Sequence, residues 1–291
     1  MAQTGIAADS DGLDISNPDV TTPEEIANFR RFYDRVKGGS LPSHEFWLEF
    51  RPDVLKRQRA RVRQNHVPGE RSLPLAHALA YIHLYAVMGF EYGIKYEILL
   101  SQAGGATRAE ILDTLAVAFV HAGPRGFHYV QSGSVEVLRT YVDPPPVEKF
   151  PAGWTFEPKA FDSGMDYTRP DATPEDMRRL EDWFQRTSGE VPRYVRFMMK
   201  NQPGLLKAYR NRLEHAIRDA LPKQMLPYLM LQLNTTRGFA DGIREAVLLG
   251  RGLGMTKAQL IEAIGWGMSY GGPNAVSIAA EAAGDVLESM S

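Results

Sequence analysis

Apolar positions along the chain recur three and four residues apart, and the runs they form are separated by short Gly- and Pro-containing turns. That spacing predicts helices, and no stretch carries the strict alternation of a strand. Thr22-Pro23-Glu24-Glu25 opens the first helix: threonine suits the N-cap, proline the first helical position, and the acids the positive helix end. Phe29, Phe32, Tyr33 and Val36 follow at helical spacing, and Gly38-Gly39 ends it. Further helices are predicted over 43–50, from Pro52 onward, and over 75–88. In the last of these, Leu79, Ile82 and Ala86 turn to the core, while His77, Tyr81 and Tyr85 lie four apart on one face. Gly89 breaks the chain, and a key helix runs over 90–101 to the Gly104-Gly105 turn. Thr107, with Glu110 three positions on, forms a capping box for a helix that ends at His121 and is stopped by Gly123-Pro124. A shorter helix follows around 127–138.

The pattern occurs twice. From Gly89 to Pro124 the chain matches Gly238 to Pro273 without a gap, with 11 identities in 36 positions at an offset of 149 residues. Upstream, Thr22-Pro23-Glu24-Glu25 matches Thr173-Pro174-Glu175-Asp176 at offset 151, and the length difference falls near Asn65 to Pro74. The expectation is an all-α protein of two tandem helical bundles related by internal duplication. Its parts are a disordered tail (1–16), a first repeat (17–142), a Pro-rich linker (143–168) and a second repeat (169–291) ending in a helix over 275–290. Trp154, Phe156 and Phe161 along the linker need burial, so it should pack on the surface of the bundles.

Composition removes several chemistries. The formal net charge of −2 gives no global field toward nucleic acid or membrane, and no run reaches the roughly 18 apolar residues of a membrane span. The first residues lack a basic start and an apolar segment, so no secretory signal is expected and the default location is the cytoplasm. There is no cysteine, hence no disulfide and no thiolate nucleophile or ligand. No histidine pair has metal-binding His-x-x-x-His spacing, and His77 and His83 face different directions, so neither a metal nor another cofactor is expected. Lys56, Arg57, Arg59, Arg61 and Arg63 read as a solvated basic face, because the matching stretch 207–219 mixes both charge signs. Gly250-Arg251-Gly252-Leu253-Gly254 follows a helical pattern rather than a strand, so it reads as a helix end and not a dinucleotide loop.

The segment 104–123, with Thr107-Arg108-Ala109-Glu110-Ile111 after a Gly-Ala-Thr turn, resembles the carboxymuconolactone decarboxylase and alkyl hydroperoxidase D superfamily. Tyr270-Gly271-Gly272-Pro273-Asn274-Ala275 resembles the ending seen in the decarboxylases. The resemblance covers most of both repeats. The hydroperoxidases carry Cys-x-x-Cys and a following histidine on the key helix, at positions that hold Phe90, Gly93 and Glu97 here, and Phe239, Gly242 and Ala246 in the second copy. Without sulfur there, disulfide-based peroxide reduction is excluded. The decarboxylases place a histidine where Glu97 and Ala246 stand. The resemblance implies a lyase fold and self-association as a dimer or trimer.

Six of the seven histidines lie in the first repeat, which points to a small-molecule pocket there. The candidate catalytic residues are Glu97, His121, His77 and Tyr85: one histidine and Glu97 to move a proton, and tyrosine to hydrogen-bond a forming enolate. Tyr81, His83, Phe90, Gly93, Lys95 and Arg125 are the candidate substrate-binding residues, with Gly93 letting a ligand approach the backbone and Lys95 or Arg125 holding a carboxylate. The set suits a lyase or isomerase working through an enolate-like intermediate. The alternative is a non-catalytic binding or assembly module, in which the histidines and tyrosines are structural and Glu97 is a surface or capping acid.

Overall fold

The computed structural model describes residues 12–64, 74–218 and 220–290. Among the described residues it contains thirteen α-helices, one 3-10 turn (Pro158–Phe161) and no strand. The first seven are α1 (Pro23–Lys37), α2 (Pro42–Phe50), α3 (Pro52–Gln64), α4 (Pro74–Met88), α5 (Glu91–Ala103), α6 (Arg108–Ala122) and α7 (Pro124–Arg139). After the 3-10 turn come α8 (Pro174–Thr187), α9 (Arg193–Asn201), α10 (Pro203–Glu214), α11 (Met225–Arg237), α12 (Ala240–Gly252) and α13 (Lys257–Glu288). Of the expected tail, residues 1–11 lie outside the described residues, as does most of the 65–74 turn; Leu13 is buried against Phe29 and Tyr33.

The predicted caps form. Thr22 with Glu25, Thr107 with Glu110, Thr173 with Asp176 and Thr256 with Gln259 all make reciprocal capping boxes. Gly123 (φ 65, ψ −153) separates α6 from α7, and Gly272 (φ 69, ψ −172) puts the same break inside α13 just before Pro273. The bounds of α12 repeat those of α5 at the 149-residue offset.

One main core runs through both halves. In it α4 packs on α5, α6 and α7, α11 packs on α12 and α13, and α4 and α11 meet. Linker residues Trp154 and Phe161 are buried in this core, while Phe156 stays exposed.

The basic face expected of α3 has a buried member. Lys56 is 1% exposed and donates from Nζ to Glu25 Oε1 and to the Val20 carbonyl, each at 2.7 Å. Lys207, 151 residues on, does the same: its Nζ lies 2.9 Å from Asp176 Oδ2 and 2.8 Å from the Asp171 carbonyl. Each lysine therefore ties α3 or α10 to the capping carboxylate of α1 or α8. Burial acts to raise the Asp176 carboxyl, but Lys207 and the amides of Thr173 and Asp166 outweigh it and hold the group well below the usual carboxylate range. The guanidiniums repeat too, Arg59 over Tyr33 and Arg210 over Trp183 and Phe184. Arg57, by contrast, is half-exposed and pairs with Asp19 and Asp53. A charge run in sequence marks the basic helix but not the one lysine that turns inward.

The glycine-rich stretch at the end of α12 is a packing device. A side chain on Gly252 would overlap the Thr187 carbonyl at the end of α8, and one on Gly250 would press on Leu260 and Met255.

Two outcomes are expected in urea unfolding. Lys207→Ala strands Asp176 in the core and should cost about 3–5 kcal/mol; a loss under about 1 kcal/mol would show that the buried pair is dispensable. Gly252→Ala must push α12 off α8, and should lower stability by roughly 1–3 kcal/mol as an overpacked site.

Candidate active site at the seam between the halves

The polar face of α4 meets α13. The His77 ring stacks on Trp266, with centroids 3.7 Å apart and planes at 9°. Tyr81 touches His77, Tyr85 and Tyr270, at centroid distances of 4.6, 5.6 and 5.3 Å. The hydroxyls of Tyr85 and Tyr270 are hydrogen-bonded to each other. Tyr85 is half-buried and Tyr270 more open, so the hydroxyl pair lies where the seam reaches solvent. Burial, reinforced by Tyr270 and by the Glu97 charge, holds the Tyr85 hydroxyl well above its ordinary pKa. It therefore keeps its proton at neutral pH and can donate a hydrogen bond.

Glu97 sits one turn beyond Gly93 on α5 and is 8% exposed. Its Oε1 accepts from Lys37 Nζ at 3.0 Å, whereas its Oε2 is buried with no hydrogen-bond partner. Lys37, the last residue of α1, lies 5.6 Å from the Tyr96 ring and 5.7 Å from Tyr33, so the ion pair stands among aromatic rings.

The other buried group of α4 faces away from the seam. His83 is fully buried, and its Nε2 lies 2.8 Å from Nδ1 of His121, at the end of α6. Burial and the neighbouring His121 press the His83 pKa well below the ordinary value. Burial, with the Arg237 charge, pushes His121 down to about 4. Both rings are neutral at pH 7, with one donating to the other.

The space expected over Gly93 is filled: a side chain there would collide with the rings of Tyr85 and Phe90. Gly93 thus admits two aromatic side chains of this protein, and Gly242 does the same for Asn234 and Phe239. Lys95 pairs on the outside with Glu136 at 2.9 Å. Arg125 donates to the Val87 carbonyl and covers Tyr129. The structure therefore gathers His77, Tyr81, Tyr85, Phe90 and Gly93 along one seam, with the Glu97 charge bearing on it, and sets the His83–His121 pair, Lys95 and Arg125 apart. Trp266, Tyr270 and Lys37 join the site from elements that helical spacing within the first half cannot reach. For Tyr270 a signal existed: it occupies the position of His121 in the repeat.

The sequence matches no family model and no curated protein. Among solved structures the chain is similar to one from Burkholderia xenovorans that carries the provisional name gamma-carboxymuconolactone decarboxylase subunit. The TM-score is 0.54 at 15% identity, covering 96% of this chain and 99% of that one. The likeness extends over nearly the whole length and shows the fold: an all-α, carboxymuconolactone decarboxylase-like architecture.

The histidine pair has a measurable consequence. A histidine whose folded pKa lies below its unfolded value favours folding above the unfolded pKa, near 6.5, and that stability is lost as pH falls toward the folded value. For His121, at about 4, this amounts to roughly 3 kcal/mol. Unfolding free energy should drop between pH 6.5 and 4. A His83→Gln/His121→Tyr variant, which carries the residues found at the matching second-half positions, should lose that much of the slope. An unchanged slope would mean that the pair does not titrate as described.

Proposed function

We propose that the protein is a cofactor-independent lyase, acting on a small aromatic-derived or lactone carboxylate by decarboxylation, or related C–C cleavage or isomerisation, through an enolate-type intermediate. The observation that carries this reading is the Tyr85–Tyr270 hydroxyl pair at the seam. In such a decarboxylation the bond to the carboxylate carbon breaks and carbon dioxide leaves. The bonding pair moves onto the adjacent carbonyl as an enolate oxygen, and a proton returns to carbon. A tyrosine that holds its proton is suited to hydrogen-bond that oxygen as charge builds. Glu97 has one oxygen fixed by Lys37 and the other without a partner, so it is the group assigned to relay a proton from water to the carbon. His77, held flat on Trp266, would border the substrate. His121 is bonded to His83 and neutral, so proton transfer falls to Glu97 in this reading. The fold likeness to a chain named for the decarboxylase is consistent with the reaction class.

A second reading, a binding or assembly module without turnover, draws on the filled space over Gly93. The two part in a screen of small aromatic and lactone carboxylates for carbon dioxide release. With a substrate in hand, Glu97→Gln and Tyr85→Phe should each lower kcat by roughly 10²–10⁴ with the helical spectrum unchanged. Tyr270→Phe should cost about 10²–10³, as loss of one oxyanion donor does. Full activity in both Glu97→Gln and Tyr85→Phe would sink the assignment, and no turnover across the screen would favour the module.

A further inference from the structure

The second half holds a half-buried acid that the lyase reading does not use. Glu245 lies on α12 at the position Tyr96 takes on α5. Its Oε1 accepts from the Tyr194 hydroxyl of α9 at 3.2 Å, and Tyr209 and Arg210 of α10 stand close by. The side chain also lines a cleft of about 180 Å³ between α9, α12 and the turn before α9.

Most charges of that cleft are already matched. Arg244 bonds Glu190 at 2.5 Å, Asp285 at 2.9 Å and the Ala282 carbonyl. Arg193 stands 3.9 Å from Asp241. Arg196 is exposed and has no ion-pair partner among the described residues. Val191, Pro192 and Leu248 give the cleft an apolar side. The first half does not build this site: Tyr96 replaces the acid and donates to the carbonyl of Gly39, which stands where the second half has Glu190.

We propose that this cleft binds a small carboxylate anion, with Arg196 pairing to the anion and the protonated Glu245 carboxyl donating a hydrogen bond to it. Arg196 supplies the unmatched positive charge, and a guanidinium takes a carboxylate well. An ionised Glu245 would repel the ligand, whereas a neutral one offers an O–H. Burial raises the Glu245 carboxyl to about 7, against the opposing pull of the Tyr194 bond and the Arg210 charge. The donor form is therefore populated near neutral pH and is lost above it. The apolar walls suit an aryl or short alkyl body. The proposal stands apart from the lyase reading, since its readout is binding and its residues are other ones.

The test is calorimetric titration of the full-length protein with acetate, succinate and benzoate. At least one probe should bind saturably at about pH 6 and roughly tenfold more weakly at about pH 8, as the binding-competent fraction falls. Arg196→Gln, an exposed change, should weaken binding tenfold or more. Glu245→Gln keeps an N–H donor and cannot ionise, so it should bind with little pH dependence. No saturable binding of any probe, unchanged affinity in Arg196→Gln, or a pH dependence that survives Glu245→Gln would each overturn the proposal. So would loss of binding in Tyr85→Phe but not in Arg196→Gln, which would place the probe at the tyrosine seam.

Discussion

Burial of most of α4 is the constraint from which the candidate site follows. Leu75, Ala78, Leu79, Ile82, Leu84 and Ala86 point around the whole helix, and all are inaccessible to solvent. A helix of that kind is a core element, and each polar group it carries must find a partner inside the protein. His83 finds His121 on α6, Tyr85 finds Tyr270 on α13, and His77 finds the face of Trp266. One direction along α4 becomes a neutral histidine pair and the other an aromatic seam. The acid proposed for proton transfer comes from a second element, α5, and its countercharge from a third, α1.

Several features of the first half recur in the second at a constant offset. The buried lysines, capping carboxylates and guanidinium–aromatic contacts recur at a constant offset, so the frame is the same in both. The acids are not. Glu97 corresponds to Ala246, and Glu245 corresponds to Tyr96. A step of one residue turns a helical side chain by roughly 100°. The same helix therefore aims its carboxylate toward Lys37 and the tyrosine seam in one half, and toward Tyr194 and an open cleft in the other. Two carboxylates with different surroundings follow from a one-position displacement on equivalent helices.

Much of the fold could be read from local signals. Thr-x-x-Glu boxes, paired glycines and the Gly-Pro steps at 123–124 and 272–273 act within a few residues, so they survive translation from sequence to helix ends. The shared face of His77, Tyr81 and Tyr85 was legible for the same reason. What that face meets was not, because Trp266 and Tyr270 arrive from nearly two hundred residues away and helical periodicity carries no information about the partner. Gly93 shows the same limit: its missing side chain was visible, but whether a ligand or Tyr85 used the space depended on how α4 and α5 dock. Lys56 and Lys95 look alike in sequence, yet one is sealed against Glu25 and the other is paired with Glu136 at the surface.

The linker is tied to the two halves at matching points. On the first half, Asp143 caps the amide of Arg108, and Lys149 bonds Glu110 and the Gly105 carbonyl, at the start of α6. On the second, the Trp154 indole donates to Gln259 at the start of α13, and Thr155 and Gly153 bond Gln224. Glu110 and Gln259 are the capping-box residues of equivalent helices. The segment between Lys149 and Trp154 therefore spans the N-termini of α6 and α13 directly. Those helices carry His121 and, roughly two and a half to three and a half turns along α13, Trp266 and Tyr270. Because helices are stiff over that length, fixing their first turns also limits where the seam residues can move. The linker's buried aromatics and its bonds to two capping boxes thus act on the site from a distance, by holding α13 against α4.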